Sequence, residues 1–173
     1  TMFKDADPGL TISVNTTKMP YHLIEESVQK RLYAALEELP NGMISMIKDM
    51  PEVVETSTNL AIVKSKDGNI FIACLLRSSV DENKMKLAEL MSGILRNAGA
   101  NTEIAGEYPG WKPDVHSPIL ETMKEVYRVH FGKIPQVKVI HAGLECGILG
   151  AQYPHWDMIS FGPTIRGPHS PDE

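Results

Sequence analysis

A β-hairpin in the middle of the sequence limits the fold of this chain more than any other feature. Residues 53–64 alternate between the two faces of a strand, and residues 70–78 form a second, mostly apolar strand. One face of the first strand comprises Val54, Thr56, Thr58, Leu60 and Ile62. Between the strands, Asp67 and Gly68 suit the positive φ angles of a type I′ turn. The sequence therefore predicts two antiparallel strands joined by a tight turn.

Further elements flank this hairpin on both sides. Apolar residues recur every three or four positions in residues 22–39 and 82–98, which predicts two amphipathic helices. Residues 10–16 (LTISVNT) and 102–108 are predicted to be the outer strands. The resulting order, β-α-β-β-α-β, is the split pattern of a ferredoxin-like sandwich. We therefore predict an α+β fold for this part of the chain.

A Pro/Gly-rich stretch at residues 108–113 is the predicted domain boundary. Beyond it, Ser117 is placed to cap a helix that Gly132 ends. Short apolar strands are predicted at residues 137–140 and 157–161, and a glycine-rich loop is predicted after each. A segment with this few helices and strands rarely sustains a core of its own. We therefore expect it to be part of a larger α/β domain.

Composition excludes several classes of protein. The net charge of −5 leaves no excess of positive charge for coating nucleic acid. No apolar run is long enough to span a membrane, and the N-terminus lacks a signal peptide. Cys74 and Cys146 are too few for a disulfide framework, which fits a cytoplasmic protein. Because the chain begins with Thr and stops in a polar turn, we expect it to be a segment of a longer protein.

Histidines and acids gather towards the C-terminus, where they could bind a metal. Imidazole and carboxylate groups hold zinc at catalytic sites, but no HExxH motif is present. Ordinary loop and surface positions are therefore the simpler interpretation. The residues concerned are His130, His141, His155, His169, Glu145, Asp157, Asp172 and Glu173.

Two further residues each allow two interpretations. Cys146, close to His141 in sequence, is either a nucleophile or a small buried thiol, and its surroundings favour the thiol. Arg77 follows the apolar run at residues 70–76. Its guanidinium group could pair with an acid of the protein or bind the carboxylate of a ligand through two hydrogen bonds.

Several motifs together resemble one known family. They are VIHAGLECGIL and DMISFGPTIRGPHSPDE near the C-terminus, and VVETSTNLAIV, LLRSS and YPGWKPD before them. Over nearly its whole length the chain resembles the bacterial aminoacyl-histidine dipeptidases, the Xaa-His dipeptidases of the M20 metallopeptidase family. Members of that family are much longer and have a zinc-binding α/β catalytic domain interrupted by a lid domain. The resemblance implies that residues 1–111 belong to the lid and dimerisation domain and residues 112–173 to the catalytic domain.

The resemblance also implies roles for particular residues. The family uses two zinc ions and a glutamate general base, but the sequence holds no counterpart of its HxD and paired Glu-Glu motifs. We therefore expect no catalytic residue in this chain. His169 matches a histidine that binds the metal, and Arg77 matches a lid arginine that contacts substrate. His141, Gly143 and Glu145 fall in the loop that in related enzymes lies beside the substrate and metals, and the resemblance implies that Gly143 and Glu145 take part in substrate binding.

These matches predict a segment of a cytoplasmic di-zinc dipeptidase. The whole enzyme would hydrolyse unblocked dipeptides, with a preference for Xaa-His, and would form a homodimer through the lid. The isolated chain is expected to be inactive, and zinc could be replaced by another divalent metal. Two alternatives stay open. One is a non-catalytic ferredoxin-like module for dimerisation or binding of a small ligand, and the other is an M20 amidohydrolase for N-acyl amino acids, against which HAGLECG speaks.

Overall fold

A computed structural model describes residues 9–114, 116–141, 144–163 and 165–167 of the chain. In chain order the elements are α1 (Glu26–Glu38), β1 (Gly42–Ile47), β2 (Met50–Lys66), β3 (Asn69–Ser78), α2 (Asp81–Asn97), α3 (Pro118–Phe131) and α4 (Glu145–Gln152). The three strands form one antiparallel sheet in the order β1-β2-β3. The predicted α+β class is confirmed. None of the helices within the described ranges combines the length and the apolar character needed to cross a membrane.

Helices α1 and α2 cover one face of the sheet, as their apolar periodicity predicts. The buried residues between them are Ala35, Leu39, Leu87, Met91 and Ile94. Leu60 from β2 and Cys74 and Leu76 from β3 pack against this cluster. The other face of the hairpin is thereby left for side chains such as Ser57 and Arg77, since successive side chains of a strand point to opposite faces.

The hairpin forms with the predicted turn. Asp67 and Gly68 have φ angles of 52° and 76°, as a type I′ turn requires. The register of β2 and β3 shifts between Leu60 and Ile62, which is a β-bulge. Beyond the bulge, residues 61–66 of β2 are all exposed, including Ile62 at 46%, whereas Thr56 and Thr58 on the same predicted face are buried.

Strand β1 was not predicted from the sequence. Its residues, GMISMI, lack regular alternation of apolar and polar side chains. The pairing of β1 with β2 contains three register shifts within six residues. Because each shift changes the face on which the next side chain lies, the two-residue period disappears from the sequence.

The prediction of two outer strands in the β-α-β-β-α-β pattern is wrong. Residues 10–16 and 102–108 are not strands in the structure, and the order from α1 to α2 is α-β-β-β-α because β1 precedes the predicted hairpin. Residues 10–16 are exposed along their whole length. Alternation shows only that a segment could be a strand, whereas a strand forms when a neighbouring strand accepts its hydrogen bonds.

Helix α3 begins and ends where the sequence predicts. Ser117 is its N-cap and accepts a hydrogen bond from the Leu120 amide, and Gly132 ends it with a φ angle of 66°. Asp157 reinforces this cap, because its carboxylate accepts hydrogen bonds from the Ser117 hydroxyl at 2.5 Å and the Ile119 amide at 2.8 Å. A residue far along the chain therefore fixes the first turn of α3.

The C-terminal elements differ from the prediction. Residues 137–140 and 157–161 are not strands, and the predicted loop at residues 141–147 contains the start of α4. Glycines favour a loop in a sequence-based prediction, but Gly147 is needed inside this helix. A Cβ atom there would lie 2.7 Å from the carbonyl oxygen of Pro109.

The Pro/Gly-rich stretch packs closely against the hairpin. A Cβ atom on Gly110 would lie 2.7 Å from the carbonyl oxygen of Ser79. The Gly110 amide donates to Asp81 at 2.9 Å, and Lys84 bonds both Asp81 and the Tyr108 carbonyl. This stretch is thus fastened to the start of α2. The domain boundary predicted after residue 111 stays a prediction.

Candidate substrate-binding site

Arg77 lies near the end of β3, directly opposite Ser57 in the register of the hairpin. Ser57 is half-buried and Arg77 is exposed. Their neighbours Thr58 and Leu76 point towards the helices, so Ser57 and Arg77 occupy the face of the sheet that the helices do not cover. The hairpin thus presents a hydroxyl and a guanidinium group side by side.

His141 meets both of these residues. The Oγ atom of Ser57 lies 2.6 Å from the Nε2 atom of His141, and the Nη1 atom of Arg77 donates to the His141 carbonyl oxygen at 3.3 Å. His141 therefore connects the segment that precedes α4 with the hairpin. The HAGLECG motif and the LLRSS motif, far apart in sequence, come together at this residue.

A cavity of about 360 Å³ opens beside these three residues. Its polar lining also includes two amide side chains that were not recognised as candidates from the sequence, Asn41 and Asn59. Asn41 uses its side-chain oxygen to accept a hydrogen bond from the Leu60 amide at 2.8 Å. Ser57 was not recognised from the sequence either; once Ser57 is placed at the site, alternation along β2 puts Asn59, two residues further on, on the same face.

The electrostatics of the site favour a neutral His141 beside a charged Arg77. Partial burial lowers the pKa of His141, the positive charge of Arg77 lowers it further, and a hydrogen bond with the Val54 backbone acts in the opposite direction. Among the residues that the structure describes, no Asp or Glu forms an ion pair with Arg77. The described structure therefore does not show the alternative in which an acid of the protein pairs with Arg77.

The other predicted site residues are not assembled around Arg77. Glu145 is the first residue of α4 and is exposed. Burial raises the pKa of Tyr108, and the negative charge of Glu145 raises it further. Gly143 and His169 lie outside the described residues. Cys146 is half-buried, with its sulfur 3.9 Å from the Ile159 carbonyl oxygen, as expected for a structural thiol.

Within the described ranges, no group of three or more His, Cys, Asp and Glu side chains could hold a metal ion. A catalytic zinc site needs about three protein ligands. Asp157, one of the candidate acids, instead holds the first turn of α3. The described residues therefore do not by themselves fit a zinc site.

Comparison with known proteins places the chain among dipeptidases. It is 46% identical, over 138 residues or 80% of its length, to the cytosol non-specific dipeptidase of Escherichia coli (strain K12). Its structure matches the crystal structure of the aminoacylhistidine dipeptidase from Vibrio alginolyticus with a TM-score of 0.81 and 36% identity over 98% of the chain. Both relatives are dipeptidases, and the chain is similar to a part of each.

The similarity covers only part of each relative. The chain spans 28% of the length of the Escherichia coli dipeptidase and 35% of the Vibrio alginolyticus chain. No protein-family model matches it. The comparisons thus show similarity to part of two individual dipeptidases, while Arg77, Ser57 and His141 supply the local chemistry.

Proposed function

We propose that this chain is a segment of a dipeptidase that hydrolyses unblocked dipeptides, with a preference for Xaa-His, and that Arg77 binds the C-terminal carboxylate of the substrate. The observation that carries this proposal is the exposed guanidinium group of Arg77 beside the cavity. The names of the two relatives support dipeptide hydrolysis as the activity. The Xaa-His preference is supported by the name of the Vibrio alginolyticus enzyme alone.

The chemistry of Arg77 suits recognition of a carboxylate. A guanidinium group has five N–H donors in a planar fork that matches the two oxygens of a carboxylate. The described structure shows one of these donors bonded to the His141 carbonyl oxygen. A β-strand places such a group more accurately than a loop can, and the long β2–β3 pairing fixes β3 here.

We further propose that the whole enzyme uses zinc, with His169 as one ligand. The support is the position of His169 in the GPHSPDE motif. The remaining ligands and the general base would come from parts of the protein that this chain does not span, since it covers 28% of the Escherichia coli relative. The isolated chain would then lack peptidase activity.

Other features of the proposed enzyme follow from the family resemblance. Gly143 and Glu145 would lie beside the bound dipeptide, and the portion before residue 112 would supply a lid through which two copies form a homodimer. A cytoplasmic location is supported by the name of the Escherichia coli relative, a cytosol dipeptidase.

Hydrolysis of dipeptides by the intact protein tests the proposed function. We expect turnover of Xaa-His dipeptides, little turnover of the same dipeptides with an acylated N-terminus, and loss of activity on chelation that zinc restores. The 173-residue chain serves as the inactive control. An intact protein that cleaves only N-acyl substrates, or no peptide at all, would show that the proposal is wrong.

A further inference from the structure

We propose that Ser57 and His141 are positioning residues for Arg77: the Ser57 hydroxyl holds the imidazole ring of His141, whose carbonyl oxygen holds one nitrogen of the guanidinium group. The inference rests on the proposed function, because it concerns the same carboxylate-binding site. It adds two residues that act through Arg77 without needing to touch the substrate.

The contacts form a closed triangle across the hairpin. Ser57 and Arg77 are paired in the register of β2 and β3, so the backbone fixes the separation of their Cα atoms. His141 closes the triangle with its ring on Ser57 and its carbonyl oxygen on Arg77. The contact with Ser57 thus anchors the residue whose carbonyl oxygen holds Arg77.

A long arginine side chain needs such support. Arg loses much of its rotamer entropy when it is fixed in one conformation. Arg77 is exposed, so packing does little to restrict it. The hydrogen bond to His141 therefore restricts the conformations of the Arg77 side chain before substrate arrives. Such preorganisation improves binding because less entropy is lost on association.

The three side chains differ in burial as this arrangement requires. Ser57 and His141 are half-buried and Arg77 is exposed. The anchoring pair thus lies deeper than the group it positions. The 2.6 Å contact between Ser57 and His141 is also shorter than the 3.3 Å contact to Arg77, so the firmer bond is the one inside the anchor.

Discrimination between a free carboxylate and a C-terminal amide tests the inference in the intact enzyme. The measured quantity is the ratio of kcat/KM for a Xaa-His dipeptide to kcat/KM for its C-terminal amide. Wild type should favour the free carboxylate, and Arg77→Ala should lose that preference. Ser57→Ala should lower the ratio about three- to tenfold, the effect of one hydrogen bond, mainly through KM.

Matched variants separate positioning from a structural effect. Ser57→Thr keeps a hydroxyl and should restore the ratio, and Ser65→Ala makes the same change at an exposed site on the same strand and should leave it unchanged. In an Arg77→Ala background, Ser57→Ala should have no further effect, because Ser57 acts through Arg77. If Ser57→Ala does not fold, His141→Asn provides the same test.

The outcomes distinguish this inference from the proposed function. A wild-type ratio that Ser57→Ala and His141→Asn leave unchanged would overturn the positioning role alone, as would equal losses on both substrates. A wild-type enzyme that cleaves the acid and the amide equally well would overturn the assignment of Arg77, and the inference with it. An intact protein with no dipeptidase activity would overturn the proposed function and everything built on it.

Discussion

Asp157 holds Ser117 at the first turn of α3, with 2.5 Å between the Ser117 hydroxyl and one carboxylate oxygen. The other carboxylate oxygen accepts a hydrogen bond from the Ile119 amide at 2.8 Å. Ser117 is 2% exposed, so its hydroxyl has little access to water as an alternative partner. This contact connects the segment after α4 to the start of α3 and carries a testable consequence for stability.

We expect Asp157→Ala to lower the free energy of unfolding by about 1–3 kcal/mol, because it removes a charged acceptor from two donors and leaves the O–H group of buried Ser117 without an acceptor. The control is Glu125→Ala on the same helix, which removes an exposed ion pair with Arg128 and should cost less than about 1 kcal/mol. Urea denaturation of both variants measures the difference. Equal losses would show that the cap contributes no more than a surface ion pair.

Gly110 should not tolerate even a methyl group. A Cβ atom there would lie 2.7 Å from the backbone of Ser79, so Gly110→Ala must displace one of the two segments. Forced overpacking of this kind costs about 1–3 kcal/mol. Gly93, within α2, has open space at the corresponding position, so Gly93→Ala should stabilise by about 0.5–1 kcal/mol. Thermal melting of the two variants should shift in opposite directions; a shift in the same direction would contradict the close packing of Gly110.

The lowered pKa of His141 should appear as a dependence of stability on pH. Burial, and then the charge of Arg77, keep the folded imidazole neutral where the unfolded one gains a proton. Stability should therefore fall as pH decreases below the ordinary histidine pKa of about 6.5, and the fall should end once pH passes below the folded pKa. Melting curves between neutral and mildly acidic pH should show a smaller loss for His141→Asn than for wild type. Identical losses would mean that His141 has an ordinary pKa.

His169 is predicted to be a zinc ligand in the intact enzyme. His169→Ala should lose bound metal and activity together, because neutral imidazole supplies one of the few ligands of a catalytic zinc. Metal analysis after gel filtration, with activity measured on the same samples, makes the comparison. His155→Ala is the control, since it removes another histidine of the C-terminal region that matches no family motif. Full metal occupancy and normal turnover in His169→Ala would exclude the role.

The parts of the fold that were predicted correctly depend on signals within one segment. The Asp67-Gly68 turn, the cap at Ser117 and the C-terminal Gly132 each follow from local backbone chemistry. The apolar periodicity of α1 and α2 likewise reports which face packs on the sheet. Such features can be derived from a single sequence because the residues that decide them are neighbours in the chain.

The parts that were missed depend on contacts between distant segments. Helix α4 has a glycine at position 147 because Pro109 approaches too closely for a side chain there, and no local signal shows this. Asn59 shares a face with Ser57 by alternation along β2, but the cavity that both line also includes His141 from a distant segment. The prediction of Arg77 as a site residue came from a motif, whereas its contact with His141 required the three-dimensional structure.

The central claim is that Arg77 binds the substrate carboxylate, and steady-state kinetics of Arg77→Ala and Arg77→Lys in the intact protein test it most directly. If bound substrate buries its carboxylate against Arg77, removing the guanidinium group leaves that charge unpaired and costs about 2–5 kcal/mol, so kcat/KM for a Xaa-His dipeptide should fall about 30-fold or more. Arg77→Lys should also lose activity, because an ammonium group cannot form the planar pair of bonds. Metal content and melting temperature should stay near those of wild type. A lower melting temperature with kcat/KM little changed would contradict the claim and assign Arg77 a structural role.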